Sequence, residues 1–294
     1  MKFIFTFIAI LFFSSIANCQ SRFTDSIIAT RVTDSLSGKP NIHFTPGYKQ
    51  RASQFQNLFS GATKFYEERY HAIFKYRIVM LDSSEWVYEK LPFGFLAYDS
   101  GWVFLPAAVN ISSFITIYGF NQDISGLNDY LHREDISLKQ LSDAVYYVYS
   151  LHELGHYFAE DNKKVVVPDM FANELIATYF SYCYFKKTKN SELQKLVHFA
   201  SFIKTNYHPQ YRNIEAMDSL YTNMTMPNFK WFHCNIVLLC QQIYEKHGVD
   251  FIDFYLNTFH AGAPDKFTTQ QVIDLLDKKC NGIVNTWAKN LKRE

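Results

Sequence analysis

The chain carries almost no net charge, with 29 Lys and Arg against 28 Asp and Glu in 294 residues, and no dense Lys/Arg patch along it. Nucleic acid is bound chiefly through basic side chains on phosphates, so it is not an expected partner. Cysteine is scarce, five in all, and none has the Cys-x-x-Cys spacing of a zinc ribbon. Cys183 and Cys234 fall in apolar helical patterns, and Cys234 and Cys240 lie six apart on one helix, so buried free thiols are expected there rather than a bridge. No run after residue 19 is long and apolar enough to cross a membrane. There is no internal repeat and no low-complexity tract. What is present is an apolar content of 48%, rich in Phe and Tyr, over a length that suits one large domain or two lobes.

Residues 1–19 have the form of a secretory signal: Lys2 as the positive start, Phe3 to Phe13 as the apolar stretch, and a small-residue end from Ser14 to Cys19. Export to a periplasmic or external space is the expected localisation. Cleavage after Cys19 would leave Gln20 at the amino terminus. The alternative is an imperfect lipobox, Ile16-Ala17-Asn18-Cys19, with a lipid anchor on Cys19. Asn18 is an unusual residue before a lipidated Cys, which favours simple export.

The chemistry concentrates in Leu151-His152-Glu153-Leu154-Gly155-His156, a His-Glu-x-x-His motif. Two histidines four apart on a helix share one face, with Cβ atoms roughly 5–6 Å apart. Two imidazole nitrogens can then reach one ion. Glu153 stands beside the water that such an ion would hold, where a carboxylate can act as general base. The flanking sequence predicts the helix: Ser137 and Gln140 form a capping-box pattern, and Leu141, Val145 and Val148 begin a stripe that continues into His152 and His156. The histidines therefore face the interior.

Two histidines are too few for a catalytic zinc. The next helical pattern, opened by Pro168-Asp169 with Asp169 as cap, offers a third ligand in Glu174. It is the only carboxylate between Asp169 and Lys186-Lys187 in an apolar run, where an unpaired carboxylate is expensive.

His-Glu-x-x-His followed eighteen residues later by Asn173-Glu174 resembles the gluzincin branch of the zincin metallopeptidases, which includes thermolysin-like enzymes and aminopeptidases. The resemblance implies one zinc per chain on His152, His156 and Glu174, with Glu153 as base. It is carried by residues 137–187 and extends more loosely over most of the chain. The chain is more similar to the small peptidase-MA-like proteins than to either large group. Two departures stand out. Position 178 is Thr where thermolysin-like enzymes have an aspartate orienting a histidine ligand, and the aminopeptidases' Gly-x-Met-Glu-Asn segment is absent. The second argues against a standard aminopeptidase.

The expected fold is α+β and zincin-like. A small N-terminal sheet, mixed or antiparallel, with helices precedes the zinc helix, and a helical C-terminal lobe follows. Residues 20–44 read as a polar extended arm, 45–160 as the upper lobe ending in the zinc helix, and 161–294 as the lower lobe. Thr45-Pro46 reads as a helix start, with the helix running to about His71. Tyr76 to Leu81 reads as a strand, Gly94–Tyr98 and Trp102–Leu105 as a hairpin around Asp99-Ser100-Gly101, and Phe114 to Tyr118 as a further strand. The resemblance implies a sheet edge that pairs with an extended peptide. The strand around Trp102 to Leu105 is the candidate edge, with an internal core strand as the alternative. Helices are expected over 191–205, 228–246, 251–259, 269–279 and 283–291, with an irregular stretch over 208–225.

A tetrahedral oxyanion needs a donor besides zinc. The resemblance places a Tyr or His from the helical lobe in that role. Tyr221 and His233 are the candidates, with Tyr207, His208 and Tyr211 behind them. The leading expectation is an exported zinc peptidase acting on a peptide or protein substrate. A binding protein on a zincin scaffold and a zinc hydrolase of non-peptide bonds are the alternatives; the intact Glu153 disfavours the former, since a purely structural site needs no base.

Overall fold

The computed structural model describes residue 32 and residues 34–82, 97–99, 101–120, 124–221, 223–264 and 266–293. The expected signal with Cys19, most of the segment up to residue 33, and residues 94–96 of the expected hairpin lie outside them. The fold is α+β, in two compact units: one comprises the chain to Gly61 with Lys75–Ala108, the other Ala62–Phe74 with Val109 onward.

The first unit holds a mixed sheet of β1 (Asp34–Leu36), β2 (Asn41–Phe44), β3 (Arg77–Leu81), β4 (Ala97–Asp99) and β5 (Trp102–Pro106), ordered β1-β2-β3-β5-β4. The three central strands run parallel and each outer pair is antiparallel. Ile78, Val79, Met80 and Leu81 are wholly buried, so β3 presents apolar side chains to both faces, as a central parallel strand must. Parallel pairing of β2 with β3 requires a crossover, and helix α1 (Lys49–Tyr70) supplies it.

Three expectations change here. Trp102–Leu105 is not an edge: β5 lies between β3 and β4, because the turn at Gly101, with φ of +85°, folds Ala97–Asp99 against its outer side. The described part of the expected extended arm, residues 20–44, pairs into the sheet as Asp34–Leu36 and Asn41–Phe44. Thr45 does not cap α1. Its hydroxyl accepts from the Asp82 amide at 3.2 Å, a turn follows, and the helix starts at Lys49.

The second unit is helical. In order it contains α2 (Ile111–Ile117), α3 (Ser125–Arg133), α4 (Leu138–His156), a π-helical turn (Tyr157–Asn162), α5 (Met170–Lys187), α6 (Ser191–Asn206), α7 (Ile214–Ser219), α8 (Met226–His247), α9 (Asp250–Thr258), α10 (Thr269–Cys280) and α11 (Ile283–Arg293). Phe114 to Tyr118 was expected as a strand, but it lies largely in α2. The Asn110 side chain accepts from the Ser113 amide at 3.0 Å, and this cap overrides the β-forming run Phe-Ile-Thr-Ile.

Helices α4, α5, α6 and α8 pack on one another and build the core of this unit. The expected boundary near residue 160 falls inside it, because α4 packs most extensively on α5. Helix α5 is buried on nearly every side, from Phe171 to Phe185. The four described cysteines, Cys183, Cys234, Cys240 and Cys280, are buried free thiols. No helix among the described residues is long and apolar enough to cross a membrane.

Candidate metal centre

Helix α4 starts at the capping box expected for it. The Gln140 amide donates to Ser137 Oγ at 3.1 Å, and the Ser137 amide donates to Gln140 Oε1 at 2.7 Å. With the start fixed, helical periodicity carries Leu141, Val145 and Val148 inward and brings His152 and His156 to the same buried face. Helix α5 starts at Asp169, whose Oδ1 accepts from the Ala172 amide at 2.7 Å; Glu174 follows one turn later. The two helices approach very closely where Gly155 meets Ala177. A Cβ at position 155 would lie 2.7 Å from both Ala177 Cα and the Ala177 carbonyl oxygen.

This approach gathers His152, His156 and Glu174 into a buried group that could hold a metal ion. Nε2 of His152 lies 3.0 Å from Nε2 of His156 and 3.0 Å from Glu174 Oε2, and Nε2 of His156 lies 3.8 Å from the same oxygen. The partners of the outer nitrogens bear on which way the rings present themselves. His156 Nδ1 has Asn173 Oδ1 at 3.3 Å and Glu160 Oε1 at 3.5 Å, both acceptors, so it carries the proton and leaves the Nε2 lone pair facing Glu174. His152 Nδ1 has Thr178 Oγ1 at 3.0 Å, which can accept from it in the same way. Two lone pairs and a carboxylate oxygen then point at one another, a repulsive arrangement unless a positive charge sits among them. Glu174, 2% exposed, has no hydrogen bond on Oε2 among the described residues. This donor set fits a cation.

Without a cation, the charge must come from protons. Burial works against ionisation of Glu174, but the facing His233, His152 and His156 rings hold its carboxyl well below the usual carboxylate range. Burial likewise disfavours a charged His156, yet Glu160, Glu174 and Glu153 outweigh it and lift the ring to about 9. A bound cation would take over this proton's role.

Of the candidates beyond the three ligands, Glu153 is half-buried on the turn between the histidines, and burial raises its carboxyl against the pull of His152 and His156. Tyr221 donates its hydroxyl to Glu174 Oε1 at 2.7 Å. His233, on α8, lies with Nε2 3.5 Å from Glu174 Oε2, and neither of its ring nitrogens has a hydrogen-bond partner among the described residues. Burial drives it strongly toward the neutral form. Tyr207 and His208 instead line a different cavity.

Three features escape the motif. Thr178 takes the position beside His152 Nδ1, one turn after Glu174 on the same helix. The π-turn following His156 brings Glu160 back toward that ring, as such turns often do at functional sites. Lys230, one turn before His233, sits half-buried with its ammonium 5.5 Å from the centroids of the Tyr149 and Phe229 rings. Burial lowers its pKa, while Glu153 and Glu174 oppose that shift. Its i, i+3 relation to His233 was the one available sequence signal. Compared with known proteins, the chain matches no family model, no curated protein and no solved structure.

Proposed function

We propose that the protein is an exported, zinc-dependent metallopeptidase of gluzincin type, acting on a peptide or protein substrate. One observation carries the reading: Nε2 of His152 and of His156 and Oε2 of Glu174 converge at 3.0–3.8 Å, with a carboxylate, Glu153, on the residue after the first histidine. Two imidazoles and one carboxylate form an established catalytic zinc set with an open fourth position, and ligands about 2.0–2.1 Å from such an ion stand about 3.3 Å apart.

His152, His156 and Glu174 would hold the metal, oriented from behind by Thr178, Asn173 with Glu160, and Tyr221. Bound zinc would supply Lewis acidity toward a carbonyl oxygen and make a nearby water acidic. Glu153 accepts a proton from the attacking water as its oxygen bonds to the carbonyl carbon. It then returns that proton to the amide nitrogen as the C–N bond breaks. Tyr221 has its hydroxyl hydrogen committed to Glu174, so of the two expected oxyanion donors His233 is the one with an uncommitted ring N–H. The Lys230 ammonium adds positive potential on the Glu153 side.

Metal content of the purified chain, read beside Glu174→Ala, tests the site. One zinc per chain, lost in the variant, is expected; a folded, metal-replete sample without zinc refutes it. Glu153→Gln should retain zinc and lose peptide hydrolysis. Full turnover in that variant would overturn the mechanism, and zinc without hydrolysis of any peptide by the native chain would point to a binding protein.

A further inference from the structure

A second cavity, of about 330 Å³, opens in the helical unit between the end of α6, the loop that follows it, and α8. Its volume falls at the lower end of the range for small-molecule sites. Its wall includes Lys204 and Thr205 from α6, Tyr207, His208 and Arg212 from the loop, and Trp231 from α8. No carboxylate is among the described residues that line it. Arg212 thus shares this space with Lys204 and His208. Arg212 has no ion pair and no hydrogen bond to another described residue, and the buried Trp231 indole N–H also lacks an acceptor.

The loop is not left to find its shape. Asn228, wholly buried on α8, accepts from the Tyr211 amide at 2.8 Å and donates to the Tyr211 carbonyl at 3.0 Å. These two bonds fix the backbone one residue before Arg212, so the guanidinium is presented from a pinned position. A preformed cationic cavity with an aromatic wall favours a ligand of opposite charge and flat or apolar body.

We propose that this cavity binds a small organic oxyanion, a carboxylate or phosphate group on a compact apolar body. The Arg212 guanidinium grips the anionic head as a two-pronged donor. Lys204 adds positive potential, His208 offers a ring nitrogen, and the Tyr207 and Trp231 rings cover the body.

Calorimetric titration of the metal-loaded chain with phenyl phosphate, benzoate, inorganic phosphate and benzyl alcohol tests this. Saturable binding of phenyl phosphate or benzoate is expected, and the tighter of the two identifies the head group. Benzyl alcohol should not bind. Arg212→Gln should weaken binding roughly ten- to hundredfold, as expected for loss of a charge-assisted contact, with an unchanged melting temperature. Arg212→Lys should recover only part of the loss. Three results would overturn the assignment: no saturable binding at millimolar probe, equal binding by Arg212→Gln, or binding that vanishes on metal removal and ignores Arg212. The last would place the anion on the metal centre instead.

Discussion

Gly155→Ala is the sharpest test of how the proposed metal centre is built. The added methyl would lie 2.7 Å from Ala177 Cα, 2.7 Å from its carbonyl oxygen and 3.1 Å from its carbonyl carbon. A comfortable carbon contact is about 3.5 Å or more, so α4 and α5 must separate locally by about 0.8 Å. The obstructing atoms are backbone and cannot rotate away, so Ala177→Gly should give no rescue. Overpacking of this kind costs about 1–3 kcal/mol, while alanine gains about 1 kcal/mol over glycine inside a helix. The net loss is therefore about 0–2 kcal/mol, a fall in melting temperature of at most about 5 °C. The metal should respond more strongly. His156 is the next residue, Glu174 lies one turn before Ala177, and sites of this kind tolerate displacements of only about 0.5 Å. Metal affinity, measured by competition with a chelator, should fall roughly ten- to hundredfold while the metal-free protein melts almost normally. Unchanged affinity together with unchanged melting would refute the claim that this close approach sets the ligand geometry.

Other substitutions separate the supporting contacts. Thr178→Val removes the polar group at His152 Nδ1 and should weaken metal binding roughly tenfold without unfolding the chain; equal affinity would mean the hydroxyl does not orient the ring. Tyr221→Phe removes the donor to Glu174 Oε1, and chelator competition should show a loss of similar size, with melting of the metal-free protein nearly unchanged. Asp169 makes a prediction about pH. Burial raises its carboxyl to about 6 from an ordinary 3.8, with Asp218 adding to the shift and the Ala172 amide opposing it. The folded state then holds this proton more tightly than the unfolded chain, so its contribution to stability falls as pH rises from about 4 to 6. Asp169→Asn keeps an acceptor for the Ala172 amide and should flatten that part of the profile; parallel melting curves for the two proteins across pH 4 to 7 would refute it.

The parts of the chain written in local signals were legible before any coordinates. Ser137 with Gln140 and Asp169 with Ala172 fix two helix starts; periodicity then carries His152 and His156 inward, while Glu174 stands out as the one carboxylate in an apolar run. The parts set by distant partners were not. Pairing of Asn41 with Arg77 makes a strand of a polar segment, and the return of Ala97–Asp99 turns a candidate edge into an internal strand. Phe114 to Tyr118 misled because β-branched and aromatic residues signal a strand wherever they cluster, while the Asn110 cap acts through one side chain outside the run. Gly155 reads as an ordinary helix defect until Ala177 is seen against it. Lys230 and Tyr221 reach Glu153 and Glu174 only through tertiary packing; for Lys230 the sequence offered just its i, i+3 relation to His233, and Tyr221 came from the resemblance alone.

The two histidines are supported by different chemistry, and this bears on the departure at position 178. In the thermolysin-like enzymes with which the proposed function groups this chain, an aspartate there orients a histidine ligand. Here Thr178 offers His152 a hydroxyl at 3.0 Å, which can fix the ring but adds no charge. The carboxylate instead reaches the other ring. The π-turn after His156 brings Glu160 Oε1 within 3.5 Å of His156 Nδ1, alongside Asn173 at 3.3 Å. A carboxylate behind a ligating imidazole strengthens it as a donor, so the stronger of the two imidazole donors is expected at His156 rather than His152. Glu160 lies on a short, partly exposed π-turn, whereas Thr178 is fixed inside the buried α5. The charge at this site is therefore carried by the more accessible support, and the neutral contact by the deeply packed one, where an added unpaired carboxylate would cost most.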